Sequence, residues 1–139
     1  MIERLVAPHI FYQEVACHCH CGCGTGEYPA LIHPYIACIF EQIRVACGNG
    51  SLHITNGWRC PKHNKEVGGS SGSQHLFGRA IDIAKPDFMA LLEFVGIVDK
   101  IVGPGGMGIY LWGIHADVGF LFGLPKHRRW ENTKKEIEK

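Results

Sequence analysis

Two stretches of the chain repeat apolar residues at helical spacing, and three alternate them. Over residues 29–47, Ile32, Ile36, Ile39, Phe40, Ile43 and Cys47 fall on one stripe, which Gly48-Asn49-Gly50 then ends. His33 and Glu41 on this helix are expected at the surface. A second amphipathic helix is expected over residues 86–99, with Phe88, Leu91, Leu92 and Val95 facing inward. Period-two patterns predict strands at residues 51–55, after Gly78 and from Gly113. After Gly78, Ala80, Asp82 and Ala84 share one face, while Ile81 and Ile83 take the other. From Gly113, His115 and Asp117 share a face opposite Ile114, Ala116 and Val118. Pro61 suits the first turn of a short helix reaching about Val67. Residues 68–72 form a Gly/Ser loop, and residues 103–108 a turn into the last strands. The tail from Lys126 is charged, and residues 132–139 are expected to fray.

The chain has 139 residues, enough for one core and not two. We therefore expect a single domain over residues 1–139, with a Cys-rich N-terminal segment at 1–28 and a charged tail at 131–139. Burial at this size suffices to fold without a metal. A net charge of +1 gives no field to attract nucleic acid or anionic lipid. No apolar run is long enough to span a membrane, so no membrane insertion is expected. Residues 1–13 lack the basic, apolar and small-residue succession of a secretory signal.

The chemistry gathers in two places. Alternation presents Asp82 and His115 from strands that are apolar on their other face, and His75 stands just before the Gly78 bend. Two imidazoles and one carboxylate suit a catalytic zinc, because three protein ligands leave a fourth position for water. Taken singly, each could be an ordinary hydrogen-bonded residue; their order and small neighbours favour a shared ion. The second place is Cys17-His18-Cys19-His20-Cys21-Gly22-Cys23. Its spacing does not match the Cys-x-x-Cys pairs of a zinc ribbon. Three readings stay open: a second, structural metal with help from His18 or His20, a disulfide from one member to Cys60, or free thiols. Seven cysteines is an odd number, so at least one has no disulfide partner within the chain. A Cys/His nucleic-acid module is disfavoured by the spacing and by the lack of a basic patch.

Ser73-x-His75-x-x-Gly78-x-Ala80-x-Asp82, followed by His115-x-Asp117, resembles peptidase family M15, the zinc D-Ala-D-Ala carboxypeptidases and murein endopeptidases. The likeness begins at Ile54-Thr-Asn-Gly-Trp-Arg-Cys-Pro-Lys-His-Asn64 and Val67-Gly-Gly69. It continues to Gly108-Ile-Tyr110 and Trp130, and so covers most of the chain. It implies an α+β, hedgehog/DD-peptidase-like fold: a small, mainly antiparallel sheet with helices packed on one side and the metal in a cleft on the open face. It implies His75, Asp82 and His115 as zinc ligands and peptidoglycan stem peptides as substrate. It also implies Arg59 as the cation that stabilises an oxyanion, and Ser73 as a substrate-binding residue. Gln74 stands beside a ligand and could line the pocket. Family members carry a Cys-x-Cys-Gly-Cys-Gly element matched by Cys19 to Gly24, which implies a structural role there.

The chain departs from part of the family at Trp112, where several subfamilies place an acid three residues before the last histidine ligand. Asp117 is the nearest substitute. Strand rise sets it roughly 7 Å from His115 along the same face. It could act as the general base or accept a hydrogen bond from a ligand imidazole. Trp112 and Tyr110 are expected to shape pocket or core. The expected activity is hydrolysis of D-amino-acid peptide bonds in peptidoglycan by a metal-activated water. The alternative is a non-catalytic, zinc-stabilised cell-wall-binding or phage structural module of the same fold. A monomer is expected, made in the cytoplasm and acting on the wall as a phage-type lysin or released enzyme.

Overall fold

The computed structural model describes residues 5–19 and 32–133. His20, Cys21, Cys23, Gly24, the expected helix start at residues 29–31 and the tail at 134–139 lie outside the described residues. The chain opens with a small antiparallel ribbon, β1 (Leu5–Ala7) and β2 (Ile10–Phe11), followed by one helical turn, α1 (Tyr12–Val15). The first long helix, α2, runs Pro34–Ala46. It starts there because His33 caps it, accepting the Tyr35 N–H on Nδ1 at 3.1 Å, and Pro34 fits a first turn that needs no N–H donor.

Five strands form the main sheet: β3 (Ile54–Asn56), β4 (Ala80–Ala84), β5 (Gly106–Tyr110), β6 (Gly113–Asp117) and β7 (Arg129–Glu131). Their spatial order is β3-β4-β6-β5-β7; every pairing is antiparallel except β5 with β7. The architecture is α+β, with a short helix α3 (Pro61–Glu66) and the helix α4 (Leu91–Val102) completing it.

One face of the sheet is apolar. Ile81, Ile83, Ile114 and Ala116 pack with Ile36, Ile39, Phe40 and Ile43 of α2 and with Phe94, Val98 and Val102 of α4 in one buried cluster. The second helix is corrected in both its start and its stripe. It begins at Leu91, since residues 86–90 turn instead of coiling, and its inward stripe is Phe94, Val98 and Val102. Phe88 and Leu92, expected inward, are 60% and 84% exposed. The stripe was placed too early: a helix reaching Val102 presents residues 94, 98 and 102 at i, i+4, i+8 to the core. The charged tail, expected from Lys126, contains β7. Arg129 is anchored there by Asp99, by the Gly105 carbonyl and by the Gly103 carbonyl.

Candidate metal centre

A row of residues crosses all five strands. Register sets Asn56 beside Asp82, Asp82 beside His115, His115 beside Gly108, and Gly108 beside Trp130. Because side chains alternate, this row lies on the face turned away from the apolar core. His75 joins it from outside the sheet. It sits in the 3-10 turn Gln74–Phe77, which Ser73 caps through its hydroxyl (His75 N–H to Oγ, 3.3 Å) and Gly78 closes at φ 67°.

Three side chains meet there. Asp82 Oδ1 lies 3.1 Å from His75 Nε2 and 2.9 Å from His115 Nδ1, and one ligand atom from each residue lies within 4.8 Å of the others. A tetrahedral zinc with bonds near 2.0–2.1 Å separates its ligand atoms by about 3.3 Å. The donor set and spacing therefore fit a zinc-class ion with one position open.

Each histidine is oriented from behind. His75 Nδ1–H donates to the Gly57 carbonyl at 2.7 Å, which leaves Nε2 facing Asp82. His115 uses the opposite nitrogen: Nε2–H donates to Asp117 Oδ2 at 3.0 Å, leaving Nδ1 toward the centre. Asp117 is 1% exposed and both oxygens are engaged, Oδ1 by the Gly119 N–H (3.0 Å) and by Arg128. Asn56 Nδ2 donates to Asp82 Oδ2 at 3.2 Å.

The electrostatics follow from these contacts. Burial disfavours charge on Asp82, but hydrogen bonds from His115 and His75 outweigh it and hold the carboxyl well below its usual range. Burial likewise opposes a charged His115; the hydrogen bonds to Asp117 and Asp82 overcome it and push the imidazole up to about 9. Asp117 is lowered against its burial by His115, Gly119 and Arg128. A metal entering this site displaces a proton from His115.

The row needs gaps. A β-carbon on Gly108 would sit 2.5 Å from Trp130 Nε1, so the missing side chain lets the indole lean toward His115, their rings 5.3 Å apart. One row along, a β-carbon on Gly106 would sit 2.5 Å from Arg128 and 2.6 Å from Asp117 Oδ2. Gly106 thus makes the space in which that pair forms.

The centre floors a cleft of about 590 Å³. Arg59, Ser73 and Gln74 line it, as do Tyr110, Trp112 and Trp130. Tyr110 stacks on Trp112 at 4.8 Å and accepts the Trp130 indole N–H at 3.0 Å, making one aromatic wall. Arg59 donates to Asn64 Oδ1 at 3.2 Å. Among the described residues, three buried side-chain polar atoms have no hydrogen-bond partner: Arg59 Nε, Gln74 Oε1 and Arg128 Nε. All three belong to residues that line the cleft.

His75, Asp82, His115, Asp117, Arg59, Ser73 and Gln74 are thus brought to one place. Arg128 and Asn56 escaped the sequence reading. Arg128 was hidden in a charged run; the signal for it was Trp130, because alternation puts 128 and 130 on one strand face. The second cluster is also partly in view: Cys17, Cys19 and Cys60 lie together. Burial pushes the Cys17 thiol up.

The family model described as Peptidase M15 matches residues 8–117. No curated protein matches the chain.

Proposed function

The chain belongs to the M15 peptidases, and from that premise we propose that it is a zinc metallopeptidase hydrolysing D-amino-acid peptide bonds of peptidoglycan stem peptides. The observation that carries this reading is the convergence of His75, Asp82 and His115 at the floor of an open cleft. When bound, zinc supplies Lewis acidity: it polarises a scissile carbonyl and lowers the pKa of a water molecule toward neutrality.

The chain's own residues do the rest. His75, Asp82 and His115 would hold the ion, through Nε2 and Nδ1 of the two rings, which Gly57 O and Asp117 fix in place. Asp117 is a positioning residue in this reading, because its oxygens are engaged by His115, Gly119 and Arg128. Arg59 brings a permanent cation to the cleft, where it stabilises the negative charge that develops on the carbonyl oxygen. Arg59 Nη1 donates to Asn64 Oδ1 at 3.2 Å, which fixes the guanidinium beside the cleft. Ser73 Oγ accepts from His75 N and keeps its own O–H for substrate. The aromatic wall offers apolar area on the other side.

Both a terminal D-Ala and a crosslink fit this chemistry, and the products separate them. Metal-loaded protein is incubated with defined muropeptides and the products are weighed by mass spectrometry, with a chelator control. Free D-alanine or a severed crosslink, abolished by the chelator and restored by zinc, is the expected result. No new amine from any muropeptide would remove the enzymatic reading. His75→Ala is expected to lose both metal and hydrolysis.

A further inference from the structure

The cysteine cluster lies outside the peptidase centre, and the chemistry proposed above makes no use of it. We propose that Cys17, Cys19 and Cys60 bind a second, structural metal ion of the zinc class, which clamps the N-terminal segment to the loop carrying Arg59.

The three sulfurs lie within 4.8 Å of one another. Zinc–thiolate bonds near 2.3 Å place tetrahedral sulfurs about 3.8 Å apart, so closing on an ion asks for movements of roughly an ångström. A single disulfide could join two of the three; an ion engages them all. Thiolates select zinc-class ions over magnesium or calcium. Two backbone N–H groups already point at sulfur: Cys60 N at Cys17 Sγ and His63 N at Cys60 Sγ, each 3.3 Å. Such bonds favour the thiolate that a metal requires. Three thiolates leave one tetrahedral position for a further ligand.

The location gives the ion its purpose. The N-terminal segment and the residues before α3 are already joined by a hydrogen bond from Trp58 N to Val15 O at 2.7 Å. Between that bond and Cys60 stands Arg59, whose own N–H donates to the His75 carbonyl at 3.1 Å. An ion on the three cysteines would lock this loop against the segment beneath it and so hold one wall of the cleft. Cys17 and Cys60 are 43 positions apart in the chain, so the clamp also closes a long loop and adds its binding energy to folding.

Cobalt substitution tests this without reference to peptidase activity. The centre of His75, Asp82 and His115 contains no sulfur, so a sulfur-to-cobalt charge-transfer band reads the cysteine cluster alone. Full-length protein purified under reducing conditions is expected to hold about two zinc ions per chain. On exchange with cobalt it should show that band. Cys60→Ser should abolish the band and reduce the metal content by about one ion per chain, whereas His75→Ala should lose one ion and keep the band. Cys17→Ser, at a half-buried position, should also abolish it and carries the test if Cys60→Ser fails to fold. No band in the wild type, a band unchanged in Cys17→Ser, or a disulfide that includes Cys60 in the purified chain would overturn the proposal. Failure to cleave muropeptides would leave these readings untouched.

Discussion

Replacing Asp117 by asparagine removes a charge and one acceptor while keeping the shape, and its consequence can be worked out atom by atom. The carboxylate receives three hydrogen bonds, from His115 Nε2–H, Gly119 N–H and Arg128. An amide has one acceptor oxygen. If that oxygen serves Gly119 and Arg128, the NH2 group confronts His115 Nε2; if it turns the other way, the NH2 meets two donors. The first arrangement is the cheaper. It is relieved when the imidazole, protonated on both nitrogens in the metal-free wild type, gives up its Nε2 proton and keeps the one on Nδ1, the nitrogen 2.9 Å from Asp82 that the ion requires bare. Binding metal must then restore the wrong pairing, and a buried unsatisfied donor costs about 1–3 kcal/mol. At about 1.4 kcal/mol per factor of ten, Asp117→Asn should weaken zinc binding by roughly tenfold to a hundredfold. Competition with a chromophoric chelator measures this. Wild-type affinity in the variant would refute the tautomer argument. With saturating metal, hydrolysis of a muropeptide should return to within about tenfold of wild type. A rate still down by about 10²–10⁴-fold would mean that Asp117 itself takes the proton.

The remaining predictions concern the rest of the cleft. Gly108→Ala drives a β-carbon into the Trp130 indole and should lower stability by about 1–3 kcal/mol in a denaturant titration; pairing it with Trp130→Ala should recover much of the loss. Arg59→Ala should reduce kcat by about 10²-fold or more with a smaller change in KM, whereas a change confined to KM would reassign Arg59 to ground-state binding. In the metal-free protein, His115 is raised from 6.5 to about 9, so its contribution to stability is complete below pH 6.5 and vanishes as pH climbs through about 9. Thermal melts of the apo chain should therefore fall over that interval. The zinc-loaded chain, whose His115 is already neutral at the ligating nitrogen, should lack that decline.

Much of the site was legible because a strand's period is rigid. Once Ile81 and Ile83 must face a core, Asp82 has to face away, and the same reasoning places His115 and Asp117 opposite Ile114 and Ala116. What period cannot supply is which strands are neighbours. The parallel pairing of β5 with β7 was invisible, and with it the partnership of Arg128 and Asp117. Helix phase was legible where a long stripe fixed it, as in α2. It failed at α4, where Phe88 and Leu92 offered apolar residues to a stripe that the fold does not use. Asn56 fell just past the strand expected at residues 51–55; it is the register with Asp82 that makes it a hydrogen-bond donor at the centre.

Sheet register is what makes the centre a centre. Asp82 and His115 are direct cross-strand partners, so a one-residue slip between β4 and β6 would bury one of them in the core and separate the pair. That register is held from the far face, where Ile81 lies opposite Ala116 and Ile83 opposite Ile114, all with essentially no exposed surface. The apolar face therefore positions the polar one. His75 is the exception, since no strand register fixes it. It depends on Gly57 O, on the Ser73 cap and on the Arg59 N–H bonded to its own carbonyl. Two of these three supports come from residues 57–59, the stretch just before Cys60. The sheet can thus fix two ligands by itself, but the third is only as well placed as the loop that the cysteine cluster would clamp.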